Sequence, residues 1–407
     1  MEGELRAHWW AAVASVTRMV GDLAAAEDAV QEACVCALTQ WKDATPANPR
    51  AWLIGTARHK ALDHLRRETG RNLKEAVAVR ELGQPGPSDR DELVAEDTPE
   101  ERLGLMFMCC HPALDHGTRI ALTLRAVCGL TASEIARVFL VSEPAMSKRL
   151  VRGRRKIRES GIRLAVPGPA ALVDRLDAVL RVVLLVFTEG HRASTGPTLV
   201  RGELCDLAVS VARELHALLP GESEVTGLLA LLLLTDARRA ARTDVNGDVV
   251  LLDEQDRSRY DRVLLAEGER LLEQALRAGR PGPYLIQAAI AACHSTARAA
   301  VDTDWREVAA LYGELLRYEP SPVHEANRAI AVAMAEGPAA GLVILDAIVH
   351  HPQLARWPSL YVARADLLHR LGRAPDAVDA YKTALQLDPG PAERAFIQRR
   401  ITQISSG

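Results

Sequence analysis

Apolar positions recur every three to four residues along almost the whole chain, and strict apolar–polar alternation is nearly absent. Runs of Val, Ile, Thr and Tyr bounded by Asn-Gly are equally scarce, so the pattern predicts an all-α protein. Breaks in the periodicity divide it into blocks. Residues 1–71 read as helical, with a turn at Asp43–Pro49 (DATPANP). Residues 72–97 are polar, carry Gly83, Pro85, Gly86, Pro87 and Ser88, and read as a flexible linker that cannot bury a core. Compact helical periodicity returns over 98–165, and VPGPA (Val166–Ala170) marks a second boundary. From 170 to 407 the pattern is a succession of amphipathic helices separated by Gly and Pro.

That last block carries weak internal repeats. Ala377, Tyr381 and Ala384 stand 12, 8 and 5 residues before Pro389. Ala340, Ile344 and Ala347 stand at the same offsets before Pro352, and Val308, Tyr312 and Leu315 before Pro320. Small and aromatic residues at such spacing let paired helices approach closely, as in tetratricopeptide repeats, and the intervals of 32 and 37 residues bracket the usual ~34.

Composition adds limits. The chain has 407 residues, enough for two to three domains. A formal net charge of −3 gives no global signal for nucleic acid, so any basic surface must be local. Seven cysteines with no CxxC pair argue against a disulfide framework and for a reducing compartment. The N-terminal MEGELRAHWW lacks the basic-then-apolar order of a signal peptide, and the apolar runs Val179–Phe187 and Gly227–Leu234 are too short to span a bilayer. A cytoplasmic location without a membrane partner is therefore expected.

Local basicity appears in LTASEIARVFLVSEPAMSKRLVRGRRKIRES (Leu130–Ser160). Thr131 and Glu134 have capping-box spacing, Ile135, Val138 and Phe139 form an apolar stripe, and Ser142 with Pro144 opens a second helix. That helix keeps Met146, Leu150 and Ile157 inward. Lys148, Arg149, Arg152, Arg154, Arg155, Lys156 and Arg158 supply seven cations against two acids, Glu143 and Glu159 at its ends. A capped helix, a tight turn and a basic second helix make a helix-turn-helix with charge placed to neutralise phosphates.

A second pair of helices divides its charge. NPRAWLIGTARHKALDHLRRETGR (Asn48–Arg71) places Trp52, Leu53, Ala57, Ala61 and Leu65 on one stripe and its cations elsewhere. The preceding AAAEDAVQEACVCALTQW (Ala24–Trp41) sets Glu27, Asp28, Gln31 and Glu32 opposite Ala29, Val30 and Ala33. One basic and one acidic face suggest two partners, although both could be solvated faces.

AEDAVQEACVCAL with NPRAWLIGTARHKALDHLRR resembles region 2 of the extracytoplasmic-function sigma factors of bacterial RNA polymerase. RIALTLRAVCGLTASEIARVFLVSEPAMSKRLVRGRRKIR resembles their region 4, and the remaining chain resembles the subgroup with a large C-terminal helical, tetratricopeptide-like extension. The turn departs from the family in having Leu140 where glycine is common. The resemblance implies region 2 at 1–71, region 4 at 98–165 and a regulatory domain at 170–407. Its implied partners are promoter DNA and core polymerase, the latter through the β′ clamp helices and β flap. Glu27, Asp28, Gln31 and Glu32 then fall on the core-binding face. Asn48, Arg50, Arg58, His59 and Lys60 fall on the reader of the −10 element, with Arg66 and Arg67 as phosphate contacts. At the −35 element, Glu143, Ala145, Ser147, Lys148 and Arg149 lie nearest the bases, and Arg152, Arg154 and Arg155 near phosphates.

No catalytic or cofactor motif is present: there is no phosphate loop, GxSxG or HExxH, and Glu189-Gly190-His191 is a lone cluster read as a helix end. Asp236, Arg238 and Arg239 in LLLLTDARRAAR are placed to pair with each other or with a ligand. Cys109, Cys110 and His111 in LMFMCCHPAL point about 100° apart on a helix, so core packing is favoured over a metal site. The run Leu103–Cys110 has no charge on any face, which predicts burial all round. Met106, Met108, Cys109 and Cys110 are therefore expected to dock the extension against region 4. A ligand-sensing helix-turn-helix factor with a helical sensor, or a repeat scaffold with basic helices, is the alternative.

Overall fold

The computed structural model describes residues 2–41, 45–72, 99–139, 141–192, 200–244, 249–279 and 281–406. The expected linker therefore falls outside the described residues except for Asn72, and Leu140 falls outside them too. Among the described residues the secondary structure is helical, apart from one isolated bridge between Thr243 and Val249. The chain forms two compact units, Met1–Val186 and Phe187–Gly407.

The first unit opens with α1 (Glu2–Val20), α2 (Leu23–Gln40) and α3 (Pro49–Asn72), each packed on the other two. Alanines make this possible. Ala12, Ala14, Ala26, Ala33, Ala37 and Ala57 are fully buried and let the helices approach around Val13, Val30 and Leu53. Asp22 caps α2, accepting from the Ala24 amide at 2.7 Å. Asn48 caps α3, accepting from the Ala51 amide at 3.0 Å. The expected α3 stripe holds through Ala61, but Leu65 is exposed because the helix there runs past its partners.

The unit continues with α4 (Pro99–Cys109), α5 (His116–Ala126), α6 (Ala132–Val138) and α7 (Glu143–Glu159). Thr131 and Glu134 form the expected capping box on α6, with the Glu134 amide 3.1 Å from Thr131 Oγ1 and the Thr131 amide 2.7 Å from Glu134 Oε2. Ser142 stands at the N-cap of α7 without a side-chain hydrogen bond. Gly153 lets α7 cross α5: a Cβ there would lie 2.6 Å from Thr118 Cγ2.

Every residue from Glu101 to Cys110 is buried, as the uncharged run requires. The expectation that the extension supplies the missing cover for Met106, Met108, Cys109 and Cys110 needs correction. Within this unit α4 is packed between α5 and α1, so the N-terminal helices already cover its second side. Arg102 lies over the Trp10 ring at 5.1 Å. Burial raises the thiol pKa of both Cys109 and Cys110, the latter to about 11, and Cys110 Sγ lies 3.6 Å from Thr123 Oγ1. These are protonated thiols packed as small apolar groups.

α8 (Pro169–His191) runs through the boundary between the units. The second unit is built on α10 (Ser223–Asp236), whose sides are covered by α9 (Gly202–Leu218), α11 (Arg262–Arg277) and α12 (Pro283–Ser295). Val225–Leu234 is buried throughout, which explains an apolar run with no polar face. Glu224 reaches across to cap α12, accepting from the Tyr284 amide at 2.9 Å. A run of antiparallel neighbours follows: α13 (Trp305–Tyr318), α14 (Pro322–Glu336), α15 (Pro338–Ile348), α16 (Pro358–Arg370), α17 (Ala374–Gln386) and α18 (Pro391–Ser406).

The repeat offsets are met unevenly. Ala377, Tyr381 and Ala384 are buried, as are Val308 and Leu315. At the middle repeat the register is shifted by one residue: Ala347 is exposed, and Gly341, Leu342 and Leu345 pack inward. The cause is Gly341, where a Cβ would lie 2.4 Å from the Ala329 carbonyl oxygen. The closest helix contact forms at the smallest residue.

Candidate nucleic-acid interface

The basic residues of α7 divide between two surfaces. Arg149, Arg152, Arg155 and Lys156 line a groove of ≈ 480 Å³ with Gly153, Thr118 and the start of α5. Two acids also line it, but both are occupied. Asp115 caps α5 and accepts from Thr118 Oγ1 at 2.6 Å, which holds its carboxyl below the usual range, and Glu159 faces Arg155 at 3.6 Å. The Arg149 guanidinium lies over the ring of Phe139, at the end of α6, at 5.3 Å. Glu143, Ala145, Lys148 and Arg152 are exposed and Ser147 is half-buried, so the N-terminal part of α7 is open to solvent. A row of cations whose groove-lining carboxylates are already engaged is a surface suited to phosphates.

Arg154 departs from this pattern. Its guanidinium turns towards α2 and donates to Glu27 Oε2 at 2.9 Å. Arg125 of α5 stands 3.7 Å from the same oxygen, and Arg158 donates to Asp22 at 3.2 Å. Glu27 is 1% exposed. Arg154, expected at a phosphate, and Glu27, expected on an open acidic face, are thus paired to each other across a seam. Burial pushes the Glu27 carboxyl pKa up, against the pull of Arg154 and Arg125. Polar contacts extend along the same seam. Arg125 donates to Gln31 at 3.4 Å, Trp9 Nε1 donates to the Arg125 carbonyl at 3.0 Å, and Arg6 pairs with Glu134 at 3.2 Å.

The remaining acidic-face residues stay outside. Asp28 and Gln31 are exposed, and Glu32 is half-exposed, 2.8 Å from His64 and 3.8 Å from Lys60. On α3 the expected readers are less uniform. His59, Arg66 and Arg67 are exposed, and Arg66 pairs loosely with Asp63 at 3.8 Å. Arg50 is half-buried, and Arg58 is held by a 2.9 Å hydrogen bond to Ser15. Asn48 is exposed but spends its side-chain oxygen on capping α3.

Sequence reasoning missed Arg125 and Asp22 as seam residues. The signal for Arg125 is that it is a cation in the last turn of a helix whose neighbouring positions, Ile120–Leu124 and Ala126, are all buried.

In the second unit, His191, Cys205 and Asp236 bring their ligating atoms within 4.8 Å of one another. The surroundings are unsuited to a metal cation. Both Asp236 oxygens are taken by Arg239, at 2.7 and 2.6 Å. Burial, with Arg242, Arg238, Arg239 and Arg192 nearby, lowers the His191 pKa to about 2. Gly190 explains the Glu-Gly-His cluster differently. A Cβ there would lie 2.7 Å from the Cys205 amide nitrogen, so the glycine allows α8 to end against α9.

Comparison with known proteins returns matches in the same places. Residues 9–71 match the model for Sigma-70 region 2, and residues 104–157 match that for Sigma-70, region 4. Residues 175–276 match a family of unknown function, DUF6596. An uncharacterized protein of Rhizobium meliloti is 39% identical over 397 residues, covering 97% of this chain and 93% of the relative. A probable ECF RNA polymerase sigma factor, SigI, of Mycobacterium tuberculosis is 32% identical over 176 residues, covering 42% of this chain and 59% of that protein.

Proposed function

Because this chain belongs to the extracytoplasmic-function sigma factors of bacterial RNA polymerase, in a form with a C-terminal helical extension, we propose that its packed first unit is a resting arrangement which must open on a promoter. The domains are those of a non-catalytic transcription factor that acts with core RNA polymerase on promoter DNA. In this reading α7 lies in the major groove at −35. Its open ridge (Glu143, Ala145, Ser147, Lys148, Arg149) faces the bases, and Arg152 and Arg155 hold phosphates. On α3, Asn48, Arg50, Arg58, His59 and Lys60 face the −10 element, and Arg66 and Arg67 its backbone. Asp28, Gln31 and Glu32 meet the β′ clamp helices, and region 4 meets the β flap.

The observation that carries the resting reading is the seam between Glu27 and Arg154. Elements at −10 and −35 are about 25 base pairs apart, about 85 Å along B-form DNA. A compact body of 186 residues is only about 40 Å across. Two domains that hold each other through Glu27 and Arg154 cannot engage both elements at once. Glu27 is out of water only while the seam is closed, so parting the seam solvates its carboxylate again and offsets the loss of the pair with Arg154.

The polymerase face is tested by titrating the full chain against core polymerase. The double substitution Asp28→Ala, Glu32→Ala should weaken binding at least roughly tenfold. Unchanged affinity would remove the α2 face from the proposal.

A further inference from the structure

The second unit contains a cavity that none of the assigned roles uses. It measures ≈ 250 Å³ and lies among α10, α12, α13 and α14. Leu231, Ile290, Leu315 and Val323 supply an apolar wall. Arg238, His294, Thr235, Gln287, Tyr312 and Asn327 supply the polar one.

Arg238 is the unusual member. Its Nε is buried, and among the described residues its guanidinium has no hydrogen-bond or carboxylate partner. The nearby carboxylate is already taken: Asp236 is held bidentately by Arg239, which also reaches Asp206 at 2.7 Å. Arg257 donates to the carbonyls of His294 and Ala297 at 2.7 and 2.9 Å, so it serves to hold the end of α12. Arg238 does neither. Arg238 as a whole is half-buried, but a guanidinium nitrogen out of water without an acceptor is costly unless an anion joins it. A second polar atom lacks a partner in the same wall: His294 Nδ1 is buried without a hydrogen bond, with its ring held 5.1 Å from that of Trp305.

We propose that this cavity binds a small monocarboxylate, with the carboxylate on Arg238 and His294 and an apolar body against Leu231, Ile290, Leu315 and Val323. The charge count favours a monoanion over a phosphate. Burial, with Arg238 and Arg257 nearby, lowers the His294 pKa to about 4, so that imidazole is neutral at pH 7; Arg238 is the one guanidinium of the wall, and the second histidine lining it, His324, faces Glu319 at 3.5 Å. With its proton on Nδ1, the nitrogen left without a partner, neutral His294 donates to a carboxylate oxygen. Tyr312, whose pKa burial raises to about 12, remains a protonated phenol that can complete the polar wall. The cavity lies wholly within the second unit, so the site stands or falls independently of how the sigma domains work.

The test is calorimetric titration of the full chain with sodium benzoate and sodium butyrate, with benzamide and inorganic phosphate as controls. At least one carboxylate should bind roughly tenfold or more tightly than either control, and Arg238→Met should abolish that preference. The same substitution should raise the melting temperature of the ligand-free protein, because it removes an unpaired buried charge. Arg238→Gln guards against poor packing of methionine and should also lose binding. Three results would overturn the proposal: no carboxylate binding at millimolar concentration, phosphate or benzamide binding as well as the carboxylates, or binding that survives in both variants.

Discussion

Glu27 owes its burial to two cations, Arg154 and Arg125, contributed from more than ninety residues further along the chain. Removing a cation and neutralising the acid should therefore have opposite consequences. Arg154→Met leaves a carboxylate short of charge in a desolvated place, a change that costs about 3–5 kcal/mol. Glu27→Gln removes the charge itself, and Arg154 and Arg125, whose side chains are 19% and 15% exposed, can turn further towards water. Hydrogen exchange of the full chain at pH 7 should show faster exchange across α2 and α4 in Arg154→Met than in Glu27→Gln. The reverse order would mean that this pair does not hold the seam. The proton linkage has a definite sign. Closure raises the Glu27 pKa above its ordinary value of 4.5, so the closed form binds a proton more readily and is favoured as pH falls. Nothing local in the sequence reveals this burial. Glu27 sits in an acidic stretch with Asp28, Gln31 and Glu32, and only the long-range pairing separates it from them. Arg238 is similar. Asp236 and Arg239 are three residues apart and meet, whereas Arg238 leaves the same turn in another direction, a choice that composition does not show.

Helices were the most legible scale. The α6–α7 pair announced itself through a capping box, an apolar stripe and seven cations, because each of those signals is local. The repeat register was less legible, since it depends on which small residue another helix selects. Two glycines test that point. Gly341 faces the Ala329 carbonyl oxygen and the Ala333 Cβ, whereas a Cβ on Gly313 would meet nothing within 4 Å. Alanine should gain about 0.5–1 kcal/mol of helix preference at either site. At Gly341 that gain is outweighed by overpacking of about 1–3 kcal/mol against backbone that cannot swing aside. Thermal unfolding should thus place Gly313→Ala above the parent protein and Gly341→Ala below it. Equal shifts would mean that α14 and α15 do not cross at Gly341.

At the scale of the whole molecule, the chain joins two sigma domains to a helical extension that shares 102 residues with a family of unknown function (276 − 175 + 1). No described helix is long and apolar enough to cross a membrane. In the proposed function the sigma domains have two states, one packed through Glu27 and Arg154 and one spread over a promoter, and α4 is where the change would be most costly. Its apolar surface is buried between α1 and α5, so separation of α1 would require another surface to replace it. The most direct measurement is run-off transcription by purified bacterial core polymerase on a library of intergenic fragments from a genome encoding this protein. Adding the full chain should yield transcripts whose starts share one pair of upstream motifs, and Arg152→Ala with Arg155→Ala should suppress them. If neither the full chain nor one ending at Val186 initiates above core polymerase alone, promoter-directed initiation is contradicted.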